Sequence, residues 1–173
     1  MRLSAVPGQS APPPVPLSAT PLGAFDVTVA PGEDVQVAVD RCPRGGSVLL
    51  LPGTHAGPLV LASDKDVHVS GGRQATLQTA DGDVLTSSSE NATVEGIFVR
   101  REAGGGGDGV GVRIKGGRLR LLACDVIGAQ HHCVKIEGGA DPLVIDCKCV
   151  VKGARRDASF AASLSVYRGI LIM

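Results

Sequence analysis

The chain has 173 residues, of which 43% are hydrophobic and 2% aromatic, and its 17 basic and 17 acidic residues give a formal net charge of zero. This length and apolar content predict one globular domain whose core is built from Val, Ile, Leu and Ala rather than from rings. The balanced charge gives no general attraction to nucleic acid or to an anionic membrane, so neither is predicted as a partner. No apolar run reaches the roughly 18 residues of a transmembrane helix.

The cysteines and the N-terminus favour an intracellular protein. The five cysteines are an odd number without CxxC spacing, which argues against a disulfide framework. The N-terminus also lacks the apolar segment of a secretory signal. The 24 glycines follow no collagen-like period and indicate many tight turns.

The chain begins with a tail and a short helix. Residues 1–24 are rich in Pro, Ser and Ala and are predicted to be disordered. Asp34 is placed to cap a helix that carries Val35 and Val39 on one side and that Pro43 ends. Short apolar runs follow, each closed by Gly, Asp, Asn or Pro. Their connections leave no room for crossover helices, which excludes βαβ units.

An internal repeat identifies the architecture. Val112–Gly117 matches Val134–Gly139 at an offset of 22, and Val67–Gly72 matches the first of these at 45. A second register, at offsets of 28 and 23, relates three segments: Val94–Val99, Leu122–Ile127 and Ile145–Val150. A period of 22–23 with several short strands is typical of one coil of a solenoid. The longer interval includes the glycine run 104–107 and Asp108, which are predicted to form a surface loop.

These repeats predict an all-β fold, a right-handed parallel β-helix solenoid of about four to five rungs with a short N-terminal capping helix, over residues 25–153. Rungs stack about 4.8 Å apart, so equivalent positions form columns. The second register predicts three columns: Gly96 with Cys124 and Cys147, Phe98 with Val126 and Cys149, and Glu95 with Ala123 and Asp146.

Three segments carry a resemblance to a known family: Gly45–Thr54, Asn91–Gly96 and Gly139–Cys147. Through them, the stretch from Val35 to Lys152 resembles the pectate-lyase-like β-helix superfamily, and most of all the right-handed β-helix repeats found beside F-box domains. The resemblance implies an N-terminal capping helix and a turn of the type large-Pro-Gly-Thr that opens the first rung. It says little about function.

The C-terminus departs from this pattern. Residues 154–173 are predicted to be an irregular segment with an incomplete last rung at Gly169–Met173, and no C-terminal cap is recognisable. An uncapped rung leaves edge groups unpaired, which predicts self-association through the open C-terminal rung or docking of a partner there. A truncated member of the superfamily is the alternative.

One candidate site follows from the resemblance. Polysaccharide lyases of the superfamily imply calcium ligands at Asp125 and Asp146, with Lys148 as the basic residue that accepts a proton. The competing interpretation is a solvated charge ladder in which Asp125 and Lys148 form a cross-rung ion pair. No catalytic residue is assigned on this basis.

A basic stretch forms the second candidate site. Its residues are Arg100, Arg101, Arg113, Lys115, Arg118, Arg120 and Lys135. We expect Arg113 to stack on Lys135, and Lys115 to face Glu137, on a surface for an acidic polysaccharide or protein. An ordinary solvated surface is the alternative. The lack of aromatic residues argues against single-stranded nucleic acid.

The third candidate is the run His131–Cys133. It offers at most two usable ligands, whereas zinc requires three or four, so no metal and no other cofactor is predicted. The function predicted overall is a non-catalytic β-helix module that recognises another macromolecule, with a protein favoured. Substrate recognition as in F-box-associated β-helices is one version of this function. The alternatives are a calcium-dependent polysaccharide lyase, another carbohydrate-active protein, or a remnant of one.

Overall fold

The structure is a computed structural model and describes residues 25–102, 109–128, 132–151 and 161–168. The predicted tail, the glycine run with Asp108, His131 and Gly169–Met173 lie outside these residues. The strands, in chain order, are β1 Val27–Val29, β2 Ser47–Leu50, β3 Gly53–Ala56, β4 Leu59–Leu61, β5 His68–Thr79, β6 Leu85–Ser87, β7 Thr93–Arg101, β8 Val112–Ile114, β9 Arg120–Leu122, β10 Asp125–Gly128, β11 Val134–Ile136, β12 Leu143–Val151 and β13 Ala161–Arg168.

The strands form two sheets through which the chain winds repeatedly. A nine-stranded sheet has the order β1-β2-β5-β7-β10-β12-β13, with β3 beside β5, and β9 beside both β7 and β12. A four-stranded sheet has the order β4-β6-β8-β11. Every pair is parallel except β12 with β13. The result is a parallel β-solenoid of about five turns, which confirms the predicted fold class.

A short helix covers the N-terminal end of the core. Helix α1 (Val35–Arg41) begins at Asp34, whose carboxylate accepts a hydrogen bond from the Val37 N–H at 3.1 Å, as the sequence predicted. Val35, Ala38 and Val39 are buried against the first strands. No helix in the described ranges is both long and apolar enough to span a membrane.

Inward-facing residues stack into columns along the solenoid. One column runs through the nine-stranded sheet with Val48, Val69, Val94, Leu121 and Val144, all buried. Because each turn supplies one residue of similar shape, the side chains pack in layers without aromatic rings. The predicted aliphatic core is therefore what fills the solenoid.

The corner of each later turn in the nine-stranded sheet is made by one residue with left-handed backbone. Gly96, Ala123 and Asp146 stack there with φ of +60°, +51° and +51°. A non-glycine residue pays roughly 1 kcal/mol for this conformation. At Gly96 an added Cβ would also lie 3.1 Å from the Arg73 nitrogen, which favours glycine at that corner.

These corners correct the predicted columns. Val94 pairs with Leu121, so the offset of this turn is 27 residues and not 28. The corner residue at positive φ aligns Gly96 with Ala123, whereas matching apolar letters had aligned it with Cys124. The corrected columns are Ile97 with Cys124 and Cys147, Val99 with Val126 and Cys149, Phe98 with Asp125 and Lys148, and Glu95 with Leu122 and Ile145.

The match between Val67–Gly72 and Val112–Gly117 was also misleading. Val69 lies in the nine-stranded sheet, whereas Val112 lies in the four-stranded sheet. The same short pattern, in which two apolar residues flank a polar one shortly before a pair of glycines, therefore occurs in strands of both sheets. The match of Val112–Ile114 with Val134–Ile136 does reflect neighbouring strands in register.

The C-terminal segment contains a strand that reverses direction. Strand β13 pairs antiparallel with β12 from Leu143 to Val150. The segment that was predicted to be irregular thus supplies backbone partners for the last parallel strand. In the described part of the chain, β13 ends one sheet and β11 ends the other. Self-association through the C-terminal end stays a prediction.

Candidate binding surface at the C-terminal turns

The seven predicted basic residues do not form one surface. Arg101 is 2% exposed, so its assignment to the surface was wrong. Its Nη1 donates to the Gly109 carbonyl at 2.8 Å. Strand alternation explains the position, because Arg101 lies two residues after the buried Val99 and points to the same side of β7. That alternation was readable from the sequence once β7 was extended by two residues.

Arg113 and Lys135 lie on the outer face of the four-stranded sheet and stack in register, as predicted. The Arg113 guanidinium lies between two carboxylates: Nε and Nη2 donate to Asp83, and Nη1 donates to Glu137 at 2.8 Å. Lys135 Nζ lies 2.7 Å from the same Glu137 oxygen. Glu137 thus binds Lys135 and Arg113, and the expected partner Lys115 is exposed instead.

The charges of this ion-pair network are mutually stabilised. Partial burial acts to raise the pKa of Asp83, but hydrogen bonds from Arg113 and from the Val110 N–H outweigh it and hold the pKa below its usual value. The hydrogen bond with Asp83 raises the pKa of Arg113. The hydrogen bond from Lys135 lowers the pKa of Glu137. A guanidinium that is 16% exposed and held by two carboxylates is poorly placed to attract a ligand.

Arg118 and Arg120 remain exposed and line a groove of about 140 Å³. The residues of this groove, called the arginine groove below, are Asn91, Arg118, Arg120, Asp141, Pro142 and Leu143. They come from three successive turns, whose backbones are joined by hydrogen bonds from Arg120 N–H to the Ala92 carbonyl and from Leu143 N–H to the Leu119 carbonyl, both 2.9 Å. Sequence reasoning identified the two arginines but not their neighbours, since those depend on the register between turns.

A second hollow, of about 350 Å³, lies at the N-terminal turns and has no ionisable side chain in its lining. Its residues are Gly32, Thr54, Ala56, Gly57, Gln78, Thr79 and Ala80. Small and uncharged side chains give it little means of recognising a specific ligand. The arginine groove is therefore the better candidate for a binding site.

The predicted calcium ligands lie at different kinds of position. Asp125 lies beside its register partner Lys148, but the two side chains form no ion pair in the described part of the chain. Asp146 occupies the corner with φ of +51°. Glu95 does not share its column, and its carboxylate lies 3.0 Å from His68 Nε2. Over the described ranges, no three His, Cys, Asp or Glu side chains are grouped so as to hold a metal ion.

Comparisons with protein-family models, with curated proteins and with solved structures gave no match to this chain. The β-solenoid class therefore rests on the strand registers described above and not on kinship with a known protein.

Proposed function

We propose that this protein is a non-catalytic recognition module of the pectate-lyase-like β-helix type, which binds an acidic segment of a partner protein in the arginine groove. One observation supports this proposal above others. Arg118 and Arg120 are both exposed at the groove, and neither forms a salt bridge with any residue in the described ranges. Their charges are available for a carboxylate brought by a ligand.

The other residues of the groove favour a peptide over a uniform polyanion. Leu143, which is half-buried, offers apolar contact beside the two cations. The Asp141 carboxylate would repel a chain that carries one charge per unit, but it can accept hydrogen bonds from peptide N–H groups. At about 140 Å³ the groove is smaller than the roughly 300–1,000 Å³ of typical small-molecule pockets, and it suits one or two side chains of a longer segment.

The architecture supports the same kind of partner. Stacked parallel strands give a rigid and nearly flat surface on which an extended segment can lie with little rearrangement. The resemblance to repeats beside F-box domains favours a protein as partner, and substrate recognition for ubiquitylation is one specific version. The alternative from the same superfamily is a calcium-dependent lyase that acts on an acidic polysaccharide.

The proposal is tested by binding of the full chain to an array of short peptides rich in Asp and Glu, each paired with its Asn and Gln counterpart. Affinities of peptides selected on the array are measured by fluorescence anisotropy. Each charge-assisted hydrogen bond is worth roughly 1.5–3 kcal/mol, so the double variant Arg118→Glu/Arg120→Glu is expected to weaken binding by about 100-fold or more.

The matched control is Arg100→Glu/Lys115→Glu, which makes the same change in net charge at exposed residues outside the groove. It is expected to weaken binding by only a few-fold through general electrostatics. Equal losses in both variants, or no preference for acidic peptides over their amide counterparts, would refute the proposal. Binding of oligogalacturonate that depends on the same two arginines would reassign the groove to carbohydrate.

A further inference from the structure

The arginine groove contains a negative charge beside its two positive ones. The Asp141 N–H donates a hydrogen bond to the Gly117 carbonyl at 2.9 Å. The next bond of the same kind accompanies the register of Leu143 with Arg120, so the pattern aligns Asp141 with Arg118. Neighbouring strands lie about 4.8 Å apart. An acidic and a basic residue therefore occupy adjacent places on successive turns of the groove.

The backbone directs all three charged side chains outward. Leu119 is buried between the two arginines, and Pro142 is buried next to Asp141. Because side chains alternate along an extended chain, the residues on either side of these buried ones point away from the core. Both arginines and Asp141 are exposed, and all three line the groove. A ligand in the groove thus meets charges of both signs.

These charges are not neutralised within the described part of the chain. Arg118 and Asp141 are neighbours, yet neither forms an ion pair with any residue of the described ranges. High exposure does not prevent pairing elsewhere on the surface: the Arg44 side chain is 68% exposed and still lies 2.7 Å from Asp66. The carboxylate in the groove is therefore as available to a ligand as the two guanidinium groups.

We propose that Asp141 determines the specificity of the arginine groove, and that the partner segment carries a basic residue close to its acidic ones. The inference rests on the function proposed above, because it concerns the same groove and the same partner. In such a segment, the acidic residues bind Arg118 and Arg120 while the basic residue binds Asp141. A purely acidic segment leaves Asp141 opposite a like charge, which selects against it.

The geometry of an extended chain sets the place of the basic residue. Residues separated by one position point to the same side of an extended segment and lie about 6.6–6.8 Å apart, whereas adjacent residues point to opposite sides. Asp141 lies one strand spacing from Arg118. A basic residue two positions from an acidic one can therefore reach Asp141 while the acidic residue stays on an arginine. A basic residue at the far end of the segment cannot.

The test compares the binding of isomeric peptides to the full chain by fluorescence anisotropy. The probes are blocked peptides of Gly, Ser and Thr that contain two Asp separated by one residue, and one Lys. In the near isomers the Lys lies two positions before or after the Asp pair, and in the far isomer it lies at the opposite end. Net charge and composition are thus constant. The better near isomer is expected to bind about three- to five-fold more tightly than the far isomer, the upper range for one exposed ion pair.

Variants of the chain assign this preference to Asp141. Asp141→Asn is expected to abolish the preference, and Asp141→Lys is expected to reverse it, so that the far isomer binds more tightly. The variants should keep the fold, because the Asp141 side chain is exposed and its N–H bond to Gly117 is made by the backbone. The matched control is Asp64→Lys, which makes the same change in net charge at an exposed residue outside the groove and is expected to keep the preference.

The outcomes distinguish a failure of this inference from a failure of the proposed function. Equal binding of near and far isomers to the original chain, or the same change of their ratio in Asp64→Lys as in Asp141→Lys, would overturn the role of Asp141 while leaving the groove as a site for acidic segments. Binding of every isomer that is unaffected by Arg118→Glu/Arg120→Glu would show that the groove is not the site. The proposed function and the inference would then both be wrong.

Discussion

Removal of the Asp83 carboxylate is expected to destabilise the fold far more than removal of its counterpart Glu137. Both carboxylates bind Arg113, but their surroundings differ. The Asp83 side chain is 17% exposed and also accepts a hydrogen bond from the Val110 N–H at 2.9 Å. The Glu137 side chain is 34% exposed and shares its oxygen with Lys135. Asp83→Ala therefore takes from a largely buried guanidinium one of the carboxylates that hold it, and it also removes the partner of a backbone N–H.

The magnitude follows from the degree of burial. Breaking a fully buried ion pair from one side costs about 3–5 kcal/mol, and exposed pairs contribute about 0.2–1 kcal/mol. A pair that is one-sixth exposed and keeps Glu137 as second acceptor falls between these limits, so about 2–3 kcal/mol is expected for Asp83→Ala. Glu137→Ala is expected to have a much smaller effect, because Arg113 keeps its bond to Asp83.

Equilibrium unfolding in urea measures this difference. With a slope of about 2 kcal/mol per molar urea, Asp83→Ala lowers the midpoint by about 1–1.5 M. The pKa of Asp83 is lowered in the folded state, so its stabilising effect is present above the unfolded value near 3.9 and is lost as the pH falls through the folded value. The gap between the original chain and the variant should therefore close in acid. Equal midpoint shifts in the two variants, or a gap that persists in acid, would refute the reasoning.

Three further outcomes are expected. Gly117→Ala should strongly lower the thermal midpoint, because Gly117 has φ of +71° and an added Cβ would clash with the Ser89 carbonyl oxygen. Gly116→Ala should be tolerated, because no atom lies within 4 Å of the added Cβ. Similar decreases of the midpoint in both variants would contradict the explanation. Hydrogen bonding from Arg44 lowers the pKa of Asp66, so Asp66→Asn should flatten the decline of the thermal midpoint as the pH falls below about 4, and an unchanged profile would exclude this contribution. Polygalacturonate incubated with calcium should release no unsaturated sugar ends; calcium-dependent release that Asp125→Ala abolishes would instead establish the lyase alternative.

Much of the architecture was predictable because a solenoid repeats its own rules. The matching runs at Val112 and Val134 lie in neighbouring strands, and Asp34 begins the helix that covers the core. The predicted register of one turn was wrong by one residue, because similar apolar residues occur at neighbouring positions of a strand and can be aligned in more than one way. The backbone angle of Gly96 decides that register, and φ is not written in the sequence.

The candidate site was only partly predictable for a related reason. Arg118 and Arg120 attracted attention as members of a basic stretch, but so did Arg101, which the alternation of β7 places inside. Asn91 and Pro142 reach the same groove from the turns before and after, and their proximity depends on the stacking of turns. The positions of basic residues in a sequence do not distinguish a cation that is held by two carboxylates from one that faces solvent.

Because the left-handed corners stack on one another, each later turn of this chain is a structural unit that can be duplicated. Arg120 and Leu143 occupy equivalent places 23 residues apart, and the corners at Ala123 and Asp146 between and beyond them have the same backbone angle. Duplication of one such segment would insert one complete turn, and the strands already present would keep their register with their neighbours. Length can thus change in steps of one turn by gene duplication, and a surface assembled across successive turns can be lengthened without a new fold.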